Sequence, residues 1–168
     1  MTRAVGFLIF DGFQILDAAG PIAAFEIAGA HARGAYRLSV LARRAGAVAS
    51  SSGATMTAIA FAGVPRFDTL VVAGGLGTYE ALKDEGILAC LREAARDCRR
   101  VASVCSGAFL IAEAGLLDGK RATTHWSRSR QFRSAIPMCG SSPTASSSAT
   151  ARSGVRPASL RGSTSPWR

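Results

Sequence analysis

Short apolar runs alternate along this chain with longer stretches of helical period, and each run ends on glycine or a small polar residue. Val5-Gly6-Phe7-Leu8-Ile9-Phe10 closes on Asp11-Gly12, Leu70 to Ala73 on Gly74-Gly75, and Val101-Ala102-Ser103-Val104 on Cys105-Ser106-Gly107. Runs this brief are strands rather than helices, and because nearly every position is apolar both of their faces must be covered. Between them, Leu82, Ile87, Leu88, Leu91, Ala94 and Ala95 share one helical face, with Arg92, Glu93, Arg96 and Asp97 turned to water. Ile22, Phe25, Ile27 and Ala28 form a second such face ending near Gly29; Leu16 to Pro21 opens this helix, with Pro21 in its first turn. Ala108 to Ala114 is a short helix stopped by Gly115. Tyr36 to Leu41 alternates and is a further strand, whereas Gly46 to Ala60 is a minor β-leaning excursion. The alternation predicts an α/β fold with a doubly wound, mainly parallel sheet between two layers of helices.

With 168 residues, 48% of them apolar, the chain is one domain long and can build a core. Its longest apolar runs stop far short of the roughly 20 residues of a spanning helix. Met1-Thr2-Arg3-Ala4 leads straight into the first strand with no signal-peptide core, so a cytoplasmic location is expected. Cys90, Cys98, Cys105 and Cys139 form no C-x-x-C pair, which argues against a zinc site and a disulfide framework. No metal or nucleotide motif is present, and no cofactor is expected. Part of the net charge of +9 falls in residues 138–168, where Arg152, Arg156, Arg161 and Arg168 stand without an acid. Arg43-Arg44 and Arg99-Arg100 read as a solvated rim rather than a nucleic-acid surface.

In a doubly wound sheet, ligands bind at the carboxyl ends of the strands. Asp17 follows the first strand, Gly74-Gly75 another and Cys105 the last of the apolar runs, so the topology gathers them. Cys105 occupies a strand-to-helix elbow, where backbone amides and the start of the next helix face one small volume. Such a field favours thiolate and can hold an oxyanion, the natural donors being the N–H groups of Gly75 and Ser106. Blander readings stand beside this one: Cys105 as a small buried residue, Asp17 as a helix N-cap, His125 as the end of an edge strand. Cys90 and Cys98 read as inert core residues and His31 as surface.

Two segments, Ala102-Ser103-Val104-Cys105-Ser106-Gly107-Ala108-Phe109-Leu110 and Ala114 to Trp126, resemble signature stretches of the ThiJ/PfpI superfamily, a class I glutamine amidotransferase-like group. Phe10-Asp11-Gly12, Leu16 to Pro21 and Val72-Ala73-Gly74-Gly75 extend the likeness over residues 4–137. The chain is most similar to the sensor domain of GlxA-type, AraC family transcriptional regulators. This resemblance implies a flavodoxin-like fold, frequent homodimers, Cys105 as the elbow cysteine and His125 close to it. Isonitrile hydratases are a neighbouring branch, in which an acid at the position of Asp17 assists the cysteine; many members carry Glu there, so hydratase-like chemistry is favoured over protease-like.

After Pro137 the pattern stops, and Ser141 to Thr150 has no apolar period with which to bury a face. The expected division is a domain over 1–137, missing its last strand and helix, and a disordered Ser/Arg-rich tail over 138–168. Codons permitted for Arg156 to Arg168 also encode, in a neighbouring frame, ASVTAGIDLALA, which resembles the family's closing strand-turn-helix. A one-base slip near codon 137 is the expectation that follows. Three functions are open. The first is a ligand-sensing domain of a regulator without its helix-turn-helix region, taking a small molecule and not binding nucleic acid specifically. The second is a cysteine-dependent hydratase or amidase-like enzyme, in which Cys105 attacks carbon, Asp17 or His125 moves protons, and the Gly75 and Ser106 amides hold charge. The third is an inactive truncated product.

Overall fold

The computed structural model describes residues 2–62, 66–135, 140–141 and 148–152. β1 (Arg3–Leu8) is buried along all but its first residue, as a run apolar on both faces requires. α1 (Ile15–His31) carries the chain to β2 (Tyr36–Ala42), which pairs with β1 in parallel, Arg3 opposite Tyr36 and Leu8 opposite Leu41. The stretch expected as a minor excursion is an antiparallel hairpin of β3 (Gly46–Ala49) and β4 (Thr55–Ala60). β4 joins β2 in parallel, so the hairpin widens the sheet on that side.

On the other side of β1 lies β5 (Thr69–Val72), followed by α2 (Thr78–Ala81), α3 (Glu85–Asp97), β6 (Arg100–Val104) and α4 (Gly107–Glu113). β7 (Arg121–Ala122), a 3-10 turn (Trp126–Arg128), α5 (Ser129–Ala135), β8 (Gly140–Ser141) and β9 (Ser148–Arg152) complete the described chain. The main sheet has seven strands in the order β3-β4-β2-β1-β5-β6-β9, parallel except at its two edges. The expected mainly parallel, doubly wound α/β architecture is what the chain adopts.

Side-chain alternation assigns the two faces. Val5, Phe7 and Val71 point one way and pack with Ile22 and Phe25 of α1. Leu8, Leu70, Val72 and Val101 point the other way, into a larger cluster with Leu88 and Leu91 of α3 and Phe109 and Leu110 of α4. α3 starts at Glu85, later than a helical face that includes Leu82 implies, because Asp84 caps it, accepting hydrogen bonds from the Gly86 and Ile87 amides at 2.8 and 3.3 Å; Leu82 instead stands at the C-cap of α2.

Two further features depart from the sequence reading. α1 begins at Ile15, so Pro21 lies inside the helix instead of in its first turn. Tertiary bonds set that start: the Gln14 amide donates to the Gly74 carbonyl at 2.7 Å, and Gln14 makes no side-chain cap of its own. Pro21 then forfeits one bond to the Asp17 carbonyl. The second departure is that β8 and β9 lie within the stretch expected to be a structureless tail. β9 runs antiparallel to β6, with Ser148 opposite Val104 and Arg152 opposite Arg100. A ladder is built from main-chain groups, so a segment with no apolar period can still close a sheet edge. Cys139 and residues 156–168, on which the neighbouring-frame reading rests, lie outside the described residues.

Candidate functional site

β6 delivers Cys105 to the carboxyl rim with φ of 54°, the one left-handed non-glycine residue described. A side chain in that region costs on the order of 1–3 kcal/mol, so the surroundings must hold it there. Thr124 does so on one side, its hydroxyl donating to the Cys105 carbonyl at 3.0 Å. On the other side Gly107 fits where no Cβ would: a methyl there would lie 2.5 and 2.7 Å from the Val72 and Ala73 carbonyl oxygens.

The β5 turn is equally tight. A Cβ on Gly74 would stand 2.6 Å from the Ser106 nitrogen and 2.9 Å from Asp17 Oδ2, so only glycine lets the turn approach the elbow. The Gly74 amide donates to Asp17 Oδ2 at 3.1 Å. Asp17 is buried in the first turn of α1, but Gln14 occupies the N-cap position. Its carboxylate therefore serves the site rather than its own helix end.

The Gly75 amide donates to Ser106 Oγ at 2.9 Å; Ser106 Oγ lies 2.9 Å from Thr78 Oγ1, and Thr78 Oγ1 donates to the Gly75 carbonyl at 2.8 Å. Since Thr78 gives its single proton to that carbonyl, the Ser106 hydroxyl can give its own to Thr78, and a ring of three hydrogen bonds closes on the Gly75 peptide. Thr78 is almost wholly buried, and neither it nor Thr124 is evident from sequence spacing. The available signal was a run of hydroxyl residues beside chemically special ones: Thr78 after the glycine turn, Thr124 before His125.

The electrostatics differ from the thiolate expectation. Burial pushes the Cys105 thiol upward, and the Asp17 carboxylate beside it pushes the same way; the Ser106 amide and hydroxyl oppose them without prevailing. Burial likewise raises the Asp17 carboxyl, against hydrogen bonds from Gly74 and Cys105 and the charge of His125. Thiol and carboxyl thus face each other with one proton favoured between them, which disfavours two adjacent negative charges. His125 is not hydrogen-bonded to Cys105; its Nδ1 lies 2.8 Å from Ser127 Oγ and accepts from the Ser127 amide at 3.4 Å. It acts on Asp17 as a nearby charge.

Cys90 and Cys98, read as inert, have thiols pushed up to about 11, chiefly by burial. His31 is exposed on α1. No cluster of three potential metal ligands occurs among the described residues.

An elbow cysteine with positive φ at the rim of a parallel sheet, faced by an acid from the first helix, defines a class of α/β proteins, and the comparisons agree. The chain belongs to the DJ-1/PfpI family, whose model matches residues 3–142. Among characterised relatives, it is 33% identical over 144 residues to an isonitrile hydratase from Pseudomonas putida, covering 85% of this chain and 59% of that protein. It is 31% identical over 137 residues to the HTH-type transcriptional regulator GbdR from Pseudomonas aeruginosa, covering 80% of this chain and 37% of the regulator. The chain thus spans less than two thirds of both proteins, although it spans 84% of an uncharacterised Streptomyces lividans protein with which it shares 42% identity over 120 residues, 71% of this chain. A ThiJ/PfpI family protein from Pseudomonas syringae superposes with a TM-score of 0.72 at 29% identity, over 86% of this chain and 57% of that one. An AraC family regulator from Pseudomonas putida gives 0.69 at 20% identity, over 84% and 77%, and shares the fold.

Proposed function

We propose that this chain is a ThiJ/PfpI-type ligand-sensing domain of an AraC/GlxA-type transcriptional regulator, binding a small molecule at the Cys105 rim. Regulators recur among its relatives, including CdhR of Pseudomonas aeruginosa and GlxA of Rhizobium meliloti besides GbdR. One observation carries the choice of sensing over catalysis. The groups an acyl-transfer enzyme would keep free are engaged: the Gly74 amide by Asp17, the Gly75 amide by Ser106, and the thiol held protonated beside a carboxylate. Such a site offers a small polar ligand hydrogen-bonding groups without an activated nucleophile.

The test is a thermal-shift screen of small polar metabolites against the whole chain, repeated on hits with Asp17→Asn and with Cys105→Ala. Sensing expects a ligand whose stabilisation is lost with Asp17→Asn and is not chemically altered on incubation. Turnover of that ligand, abolished by Cys105→Ala, would overturn it.

The hydratase reading is favoured by one feature: Asp17 is buried, raised, and hydrogen-bonded to the thiol, the arrangement of a general acid. In that reaction Sγ attacks the isonitrile carbon while the thiol proton passes by way of Asp17 to the same carbon, giving the thioimidate R–N=CH–S–Cys105; water then adds at that carbon and the C–S bond breaks, releasing the formamide R–NH–CHO and restoring the thiol. Formation of an N-alkyl formamide from an alkyl isonitrile, lost in Cys105→Ala, is its assay. Beyond the site, the outward Leu16 and Ile27 of α1 form an apolar strip suited to a homodimer, which sedimentation velocity would reveal. No described helix is long and apolar enough to cross a membrane, and the described cysteines are free thiols, as a cytoplasmic setting would keep them.

A further inference from the structure

Ser106 opens α4 from the N-cap position, where a serine ordinarily accepts a hydrogen bond from an amide of the first helical turn. Here it caps nothing. Its backbone is already helical, with φ of −74° and ψ of −5°, and its hydroxyl turns to the β5 turn instead, accepting from the Gly75 amide at 2.9 Å and lying 2.9 Å from Thr78 Oγ1.

Thr78 fixes that direction. Its own proton goes to the Gly75 carbonyl at 2.8 Å, so toward Ser106 it can only accept; Ser106 gives it a proton and keeps a lone pair for the Gly75 amide. The Gly75 peptide is pinned as well, since a Cβ there would lie 2.4 Å from the Gln14 nitrogen and 2.5 Å from the Gly12 carbonyl oxygen. The place that Ser106 Oγ fills is next to the reactive groups. It stands beside the Cys105 thiol, and a Cβ on Gly74 would come within 2.7 Å of it and 2.9 Å of Asp17 Oδ2. A fixed N–H aimed at an oxygen beside a nucleophile is what a carbonyl oxygen needs as it takes up charge during attack on its carbon. In this chain a serine oxygen already has that donor.

We infer that Ser106 is a built-in occupant of the acyl-oxygen position, held there by the positioning residue Thr78, and that taking its hydroxyl away opens Cys105 to acylation by small carboxylic esters. In that step Sγ adds to the ester carbonyl carbon and the C=O electron pair moves to oxygen. The pair then returns, the C–O bond to the alcohol breaks, and the thiol proton leaves with the alcohol, so that Cys105 is left as a thioester. The inference rests on the sensing reading and deepens it: the residue that blocks acyl transfer keeps the rim a binding site.

The test compares two reagents on the whole chain at neutral pH: p-nitrophenyl acetate, whose attack builds an oxyanion, and iodoacetamide, whose displacement of iodide does not. Both rates scale with the thiolate fraction, so their ratio cancels a change in the acidity of the thiol and reads the Gly75 donor. Only the nitrophenol release that Cys105→Ala abolishes is counted, and alkylation is followed on the Cys105 peptide by mass spectrometry. Ser106→Ala and Ser106→Gly should each raise the ester-to-iodoacetamide ratio about tenfold, Thr78→Val about threefold, and Thr78→Ser, which keeps the hydroxyl, not at all. Because Ser106 contributes no cap to α4, its replacement takes no bond from that helix. An unchanged or lower ratio in both Ser106 variants would overturn the inference, as would a rise in Thr78→Ser equal to that in Thr78→Val. Repeated nitrophenol release by the native chain would count against the sensing reading alone, and the ratio in the variants would still decide this one.

Discussion

At the scale of single residues, the site turns on one proton shared by two acids. Burial raises both groups; the Asp17 carboxylate raises the Cys105 thiol further, since ionising both would place two negative charges side by side, while the hydrogen bond from the thiol favours the carboxylate. Replacing Asp17 with Asn removes the charge that opposes the thiolate. Iodoacetamide should then label Cys105 at neutral pH roughly three- to tenfold faster than in the native chain, each pKa unit being worth about a factor of ten in thiolate. An unchanged or slower rate would show that the carboxyl does not govern the thiol. The same substitution bears on stability. With a raised folded pKa, Asp17 binds its proton more tightly in the folded chain, so its contribution falls as pH rises above the ordinary value of 3.8. The Asn variant lacks that decline.

Among the elements, β6 carries both a flaw and a clamp. Ser103 is buried against the α3 and α4 side of the sheet, and its hydroxyl has no hydrogen-bond partner among the described residues. An orphaned buried hydroxyl costs on the order of 1–3 kcal/mol, so Ser103→Ala is expected to raise the unfolding free energy by about 1 kcal/mol in urea. A loss of stability would mean that a water or a side chain satisfies the group. The clamp precedes the strand: Arg99 grips Asp68, tying the start of β6 to the start of β5. Arg99 holds the Asp68 carboxyl down to about 2. That support is present above 3.8, the unfolded value, and is lost as pH falls toward 2. Asp68→Asn should therefore flatten the acid limb of the stability profile between pH 4 and 2, followed by circular dichroism, and leave the limb above pH 5 unchanged.

Across the whole molecule, both edges of the parallel sheet are closed by antiparallel strands, β3 at one end and β9 at the other. Unpaired edges template aggregation, and β6 beneath β9 is one of the core strands. A chain ended after Ala135 loses that cover and should scatter more light at matched concentration than the full chain. Equal scattering would show that β9 does not protect β6.

Local physics made much of this readable in advance. A run apolar on both faces has few places to go but the middle of a parallel sheet, which is why β1, β5 and β6 fall where their residues foretold. Ile87, Leu88 and Leu91 were buried along one face of α3 because the helical period alone puts them together. The convergence of Asp17, Gly74 and Cys105 also followed, since strand order alone brings those ends together. What needed the folded chain was every property set by a neighbour distant in sequence. The start of α1 depended on a Gly74 carbonyl sixty residues away in chain order; the hydroxyl ring of Ser106 and Thr78 depended on two loops meeting; and the upward shift of the Cys105 thiol depended on burial by the packed chain and on a carboxylate arriving from another helix. Pattern and propensity act over a few residues, whereas hydrogen-bond partners and charge balance at a site belong to the packed assembly.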